Sequence, residues 1–262
     1  MRTLTARQEE NQGNTPDSTA EQLLREGEQR FQEAVSQNQF GVAHVGFFEA
    51  ACMVNPPLSR NEADQRFLEK VMAVHPGLAD WPLWFDTRVC DVTEFHPYKH
   101  QEGWECRISD VKIQFWRMEP IGRFYVKASF EEDKDVTVDA AQARPELNAR
   151  WRIRRVIEAT KCCLAFAREL DAGENTSLEF AFRWTRLQGR VLRRHPLWPI
   201  PGAGPSQRDV LESSATLHIA AGSNAIIDAA QHALAPLFEL FRIALPRAWV
   251  EKVYSDFWRL SS

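Results

Sequence analysis

Apolar residues recur along the chain with two different spacings, and the change between them divides the sequence. Over residues 17–75 the apolar positions either group at helical spacing or run almost without a break, which predicts three successive helices. Ser18 with Glu21, and Ser59 with Glu62, have capping-box spacing and mark the starts of the first and third helices. The second predicted helix covers residues 40–54, which are almost continuously apolar and are followed by two prolines.

From residue 81 onward, apolar and polar positions alternate over several segments, which is typical of strands with one buried face. Pro120 and Gly122 predict a hairpin turn. The predicted strands cover residues 104–108, 112–116, 123–130, 178–185 and 216–220, and the predicted helices cover residues 151–170, 225–243 and 246–260, with a kink or break at Pro236. This order predicts an α+β fold, with an antiparallel or mixed sheet packed with helices and preceded by a short helical N-terminal region.

The length and composition set limits on the domain organisation. We expect a disordered tail over residues 1–16, a helical N-terminal region over 17–77 and one α+β domain over 78–262. The hydrophobic fraction of 44% allows a sizeable core. No apolar run of about 18 residues predicts a transmembrane helix, and the first residues lack the apolar segment of a secretory signal. The sequence therefore predicts a cytoplasmic protein that does not act at a membrane.

Positive charge is concentrated in one part of the chain, although the formal net charge is −4. Residues 141–200 hold twelve Lys and Arg against six Asp and Glu, a local charge of +6. Arginine makes bidentate contacts with phosphate, so these cations are candidates for binding phosphate, nucleic acid or a protein partner. The candidates are Arg150, Arg152, Arg155, Arg183, Arg186, Arg190, Arg193 and Arg194.

Internal pairing is the alternative explanation for these arginines. Arg150, Arg152, Arg154 and Arg155 stand at the start of a predicted helix, where cations oppose the helix dipole. They therefore need either acidic partners or a bound anion. The acidic run at residues 131–135 offers such partners, so both explanations stay open.

Aromatic residues accompany the arginines in sequence. Trp116, Tyr125, Trp151 and Trp184 are candidates for an aromatic binding surface, because aromatic and Arg side chains are enriched where proteins bind their partners. Three of the four stand on predicted strands, and alternating positions on strands are also those that fill a core. The pattern alone allows either role.

No motif in the sequence predicts catalysis. There is no nucleophile elbow, dinucleotide fingerprint or P-loop. His96 and His100 lie near Glu94 and Glu102, but Pro97 prevents the two histidines from sharing a helix face. The five cysteines contain no C-x-x-C pair, and their odd number argues against a disulfide framework. We therefore predict no metal site and no cofactor, and we favour a non-enzymatic protein.

Several short motifs occur in an order that resembles a bacterial family. Phe115-Trp116-Arg117, Pro120 and Gly122-Arg123-Phe124-Tyr125 are followed by Trp151-Arg152-Ile153 and Ala165-Phe166-Ala167-Arg168. These motifs are similar to the region after the AlbA-like domain in Schlafen/AlbA-type DNA-binding or ATP-binding proteins. The resemblance covers roughly residues 78–255. The AlbA-like domain itself has no counterpart in this chain, so no catalytic residue is carried over.

The resemblance implies a sensor, regulatory or partner-binding module that acts with a separately encoded effector. We expect a non-enzymatic protein that recognises a ligand or partner through its aromatic and Arg-rich residues, with a protein partner or a second copy of the chain. The alternative is a nucleic-acid-binding regulator or nucleic-acid-processing protein that uses the basic stretch at residues 183–194.

Overall fold

A computed structural model gives the fold of most of the chain. It describes residues 19–36, 45–59, 62–74, 82–84, 86–88, 90–109, 112–133, 145–195 and 198–258. The tail predicted over residues 1–16 lies outside this part of the chain. The described residues form five α-helices and an antiparallel seven-stranded sheet, so the predicted α+β class is confirmed.

The strands form one large and one small sheet. In chain order they are β1 (Phe47–Asn55), β2 (Tyr98–His100), β3 (Gly103–Ser109), β4 (Ile113–Glu119), β5 (Arg123–Ser129), β6 (Glu146–Asn148), β7 (Ser177–Trp184), β8 (Val191–His195), β9 (Trp198–Pro199) and β10 (Leu211–His218). The large sheet has the order β10-β7-β1-β5-β4-β3-β2, and the small sheet has the order β6-β8-β9. Within the small sheet, β6 and β8 run parallel.

Helices cover both faces of the large sheet. They are α1 (Ala20–Ser36), α2 (Gln65–Ala73), α3 (Ala149–Glu169), α4 (Ser223–Leu240) and α5 (Arg247–Trp258). α1 lies on one face, against β1, β5 and β7, and contributes Leu23, Leu24 and Phe31 to a small core. α3 and α4 lie on the other face over the main core, and α5 packs on both of them.

The helix predicted over residues 40–54 is wrong, because residues 47–55 form strand β1 at the centre of the sheet. All of β1 except Asn55 is buried, since α1 covers one face and α3 the other. A strand buried on both faces shows no alternation, and its continuous apolar run cannot be told from a buried helix by periodicity. Because β1 pairs with both β5 and β7, a boundary at residue 77 does not separate two structural units.

Most of the other predicted elements agree closely with the structure. Strands β3, β4, β5 and β7 and helices α1, α3, α4 and α5 lie where the pattern places them. The strand predicted over residues 216–220 is placed too late, because it overlaps β10 (Leu211–His218) only at residues 216–218. Pro236 lies inside α4, which continues to Leu240 without a break. The capping interactions differ in detail. Thr19 and Gln22 form a reciprocal pair at the start of α1, and Asp64 rather than Ser59 caps α2.

Among the helices of the described residues, none combines the length and the apolar character that a bilayer crossing requires.

Candidate functional site

The arginines at the start of α3 face the acidic residues that follow β5. Arg152 donates from Nη2 to Glu131 Oε2 at 2.5 Å and to Glu132 Oε2 at 3.0 Å. Arg155 Nη2 lies 2.6 Å from Glu131 Oε1, and both guanidinium groups are buried. Burial alone would raise the pKa of Glu131, but the nearby cations outweigh it and hold the pKa well below its usual range. The protein itself therefore supplies the acidic partners that Arg152 and Arg155 need at the start of α3.

The arginines of the basic stretch at residues 183–194 pair with several different acidic residues. Arg190 forms a buried bidentate pair with Asp133, with Nη1 to Oδ1 at 3.0 Å and Nη2 to Oδ2 at 2.6 Å. Arg183 Nε donates to Glu212 at 2.7 Å, and Arg193 Nε lies 2.6 Å from Glu146 Oε1. Arg186 is exposed. The stretch therefore does not form one continuous basic surface.

The predicted aromatic surface is wrong for three of its four residues. Trp116, Tyr125 and Trp184 have no exposed surface. Trp116 and Trp184 lie in the main core, whereas Tyr125 faces α1 on the opposite side of the sheet. Trp151 is half-buried, with the Arg154 guanidinium 4.7 Å from its ring centre. Trp116, Tyr125 and Trp184 thus fill the core, as residues at alternating strand positions normally do.

Two of the candidate arginines meet in a cleft of about 490 Å³ between α3 and α5, which we call the α3–α5 cleft. Arg150 enters it from the first turn of α3, and Arg194 from β8. Its remaining lining consists of Asn148, Ala149, Ile153, Ala248, Trp249, Lys252, Val253 and Asp256. A volume of this size is in the range that holds small organic ligands.

The α3–α5 cleft combines positive charge with an apolar wall. Arg150, Arg194 and Lys252 line it, against the single carboxylate of Asp256, which accepts from Lys252 at 2.7 Å and from Arg150 at 3.2 Å. The Arg194 guanidinium stacks on the Trp249 ring at 5.3 Å. The N-terminus of α3 also points its positive dipole end to this side. The cleft therefore suits a ligand with an apolar body and an anionic group.

Sequence reasoning found only part of this cleft. Arg150 and Arg194 were candidates, whereas Trp249 and Lys252 were missed because they stand in a helix that showed only its apolar face in the pattern. Trp249 stays half-exposed although it packs on Phe238, with ring centres 6.4 Å apart. A tryptophan at the edge of an amphipathic helix was the one available signal.

A second charged cluster lies under α1 and is closed to solvent. Tyr125 Oη donates to Glu49 Oε2 at 2.8 Å, and Lys127 Nζ lies 3.4 Å from Glu49 Oε1. Burial raises the pKa of Glu49, partly offset by Lys127 and Arg183. Lys127 also donates to Glu28 of α1, so this cluster holds α1 to the sheet. Glu49 has no exposed surface, so the cluster is not an accessible site.

The histidines and cysteines form no metal centre in the described ranges. The His96 ring contacts the Cys90 carbonyl through Nε2 at 2.8 Å, and the His100 ring contacts Arg30 through Nδ1 at 3.0 Å. Cys162 and Cys163 are buried in α3, and burial raises the pKa of both thiols well above the ordinary value.

Comparison of the chain with protein-family models, with curated proteins and with solved structures found no match.

Proposed function

We propose that this protein is a cytoplasmic, non-enzymatic sensor that binds an amphipathic anion in the α3–α5 cleft and acts on a separately encoded effector protein. The observation that carries the proposal is the meeting of Arg194, Trp249 and Arg150 around one cleft. The ligand class follows from the lining, which offers guanidinium and ammonium groups for a carboxylate or phosphate and an apolar wall for a chain or ring.

The apolar part of the ligand would lie on Ile153, Trp249 and Val253. Ile153 and Val253 are buried in the free protein, so the wall is already packed and its shape is largely preformed. Burial of apolar surface supplies non-directional affinity, while the cations fix the orientation of the anionic group. A sensor of this kind needs no group that forms or breaks bonds.

The internal ion pairs weigh against the nucleic-acid alternative. Arg152, Arg155 and Arg190 are buried against carboxylates and cannot reach a phosphate backbone. We therefore expect no binding of single-stranded DNA or RNA at low ionic strength in a fluorescence-anisotropy titration. Binding that weakens steeply with added salt would instead support a nucleic-acid-binding regulator.

The sensor proposal is tested with a matched pair of probes, decanoate and decanol, titrated by isothermal calorimetry below their aggregation limits. The two share an apolar chain and differ in the anionic group. We expect decanoate to bind at one site, at least about tenfold more tightly than decanol, because the cations contribute only to the anion. Equal affinity for both probes, or none for either, would contradict the proposal.

Two variants locate that binding. Arg194→Met keeps a long apolar side chain and removes the charge that stacks on Trp249. Arg208→Met is the matched control, because Arg208 is exposed and lies outside the cleft lining. We expect Arg194→Met to weaken decanoate binding about tenfold and Arg208→Met to leave it unchanged. Equal effects of the two substitutions would place the site elsewhere.

A further inference from the structure

Strand β10 is an edge of the large sheet, and most of its outward backbone groups have no strand to pair with. In the part of the chain that the structure describes, β10 pairs only with β7. The register runs without interruption from Leu211 opposite Trp184 to His218 opposite Ser177. Its outer edge is thus a long, regular row of backbone donors and acceptors.

The two edges of the large sheet differ in their protection. At the opposite edge, β2 has only three residues and carries Lys99, two features by which natural proteins prevent strand addition. β10 has eight residues and contains no proline, no lysine and no bulge. An edge of this length without such features is suited to pairing with another strand.

The hydrogen bonding next to β10 shows which of its backbone groups point outward. Ile219 N donates to Thr176 O at 2.9 Å, in continuation of the β7 register. The backbone groups of antiparallel strands alternate in direction, so residues 211, 213, 215 and 217 face β7. The outward groups therefore belong to Glu212, Ser214, Thr216 and His218, and of these the His218 carbonyl already accepts from Ala221 N at 2.9 Å.

This set of residues is complementary to itself. If two copies of β10 pair antiparallel about a two-fold axis at Ala215, Glu212 faces His218 and Ser214 faces Thr216. Both are outward-facing pairs; Ser214 and Thr216 can exchange both backbone hydrogen bonds, whereas the His218 carbonyl already accepts from Ala221 N. His218 Nδ1 accepts from Ala220 N at 3.2 Å, which leaves Nε2 to donate to the opposite Glu212 carboxylate. Within its own chain this carboxylate also accepts from Arg183 Nε at 2.7 Å.

There is also room beside the strand for a second copy. A groove of about 480 Å³ follows β10 and the adjoining side of α4. Five alanines, among them Ala215, Ala225 and Ala229, line it together with five larger residues, among them Asp228 and His232. The alanine side chains allow close approach of another chain at their positions.

We propose that β10 is a homodimerisation strand, and that a second copy of this chain pairs with it antiparallel about a two-fold axis at Ala215. The large sheet then continues from one protomer into its partner. A second copy is chosen as the partner because a two-fold axis at Ala215 places Glu212 of each copy opposite His218 of the other. The same axis places a small alanine at the centre of the pairing. This inference is independent of the α3–α5 cleft.

The first test is sedimentation of the purified chain over about 1 to 100 µM, a range suited to interfaces of modest area. We expect a reversible monomer–dimer equilibrium. The register is tested with Ala215→Cys in a Cys90→Ser background, because Cys90 is the one native cysteine among the five that is not buried. Opposed residues 215 would lie about 4.5 Å apart between Cα atoms, within reach of a disulfide.

The matched control is Thr216→Cys in the same background. Across the proposed axis, residues 216 of the two copies would lie about 8 Å apart, too far for a disulfide. We expect a covalent dimer on a non-reducing gel for Ala215→Cys and none for Thr216→Cys. A chain that stays monomeric at the highest concentration, or equal cross-linking by both variants, would overturn the proposal.

The pairing of Glu212 with His218 is tested with His218→Glu and His218→Lys. Both lose the contact with Ala220, but only His218→Glu places two carboxylates opposite each other. We expect His218→Glu to weaken dimerisation at least about tenfold and His218→Lys to retain it. The reverse order, or equal loss in both, would reject the proposed register.

Discussion

Arg190 and Asp133 form a bidentate ion pair in the interior, in which Nη1 and Nη2 each donate to a different carboxylate oxygen. Asp133 also accepts from Gly46 N at 2.8 Å, so one carboxylate joins the turn after β5 to the residues that directly precede β1 and β8. The local charge of +6 in the sequence could not distinguish this arrangement from an exposed basic surface. The difference depends on where the acids lie in the fold. Asp133 is 57 residues from Arg190 in the chain, and no periodicity places it beside that arginine.

We predict that Asp133→Asn destabilises the protein by about 3–5 kcal/mol, because it leaves the Arg190 charge buried without its carboxylate. Glu146→Gln is the control, since the pair of Glu146 with Arg193 is partly exposed, and its loss should cost no more than about 1 kcal/mol. Urea unfolding of the two variants measures both values. Similar small losses would show that the Arg190 pair contributes little.

At the scale of elements, the sequence pattern succeeded for α1, which has an exposed face, and failed for β1, which has none. In α1, buried Leu23, Leu24 and Phe31 stand among exposed residues, so its helical spacing is visible in the pattern. β1 was mistaken for a helix because α1 buries the face that would otherwise have been polar. The position of α1 on the sheet is a tertiary fact that the pattern of β1 cannot contain.

The docking of α1 depends on Gly27, which lies directly over the Tyr125 ring. A Cβ at this position would come within 2.2 Å of Tyr125 Cδ2. Glycine inside a helix normally costs about 0.5–1 kcal/mol relative to alanine. We predict the opposite sign here, with Gly27→Ala destabilising the protein by about 1–3 kcal/mol because α1 must move away from the sheet.

Gln32→Ala is the control for that prediction, because Gln32 lies on the exposed side of the same helix. Its effect on stability should be within about 0.5 kcal/mol. Thermal unfolding gives both values, and limited proteolysis shows whether α1 is the part that loosens. A stabilised Gly27→Ala protein would mean that α1 tolerates a shift on the sheet.

At the scale of the whole molecule, the candidate site is assembled from three distant segments. The first turn of α3, strand β8 and helix α5 each supply part of the α3–α5 cleft, and α5 reaches it by packing on α3 and α4. The sequence identified Arg150 and Arg194 from local charge. The sequence could not show that these arginines lie beside Trp249, because that arrangement depends on how α5 packs against α3.

The burial of thiols and phenols over the whole fold sets its response to alkaline pH. Burial raises the pKa of Cys106 to about 12 and that of Cys162 and Cys163 well above the ordinary value. It also raises the pKa of Tyr98 to about 12. Above about pH 8.5 the unfolded chain loses thiol protons that the folded protein keeps, so stability falls as pH rises.

Two amines oppose this trend. Burial lowers the pKa of Lys112 to about 8, although Glu131 partly offsets the effect, and burial also lowers the pKa of Lys161. The folded protein loses these protons at lower pH than the unfolded chain does, which raises stability, for Lys112 between about pH 8 and pH 10.4. Two amines oppose three thiols, so we predict a net loss of roughly 1–2 kcal/mol per pH unit above about pH 9.

Urea unfolding at about pH 8 and about pH 9.5 measures this slope. Cys106→Ala should make the slope shallower, because one of the protons that the folded protein retains is gone. Lys112→Met should make it steeper, because it removes one of the two opposing contributions. A slope that neither substitution changes would mean that these buried groups do not determine the alkaline limit of the fold, whatever each substitution does to stability at about pH 8.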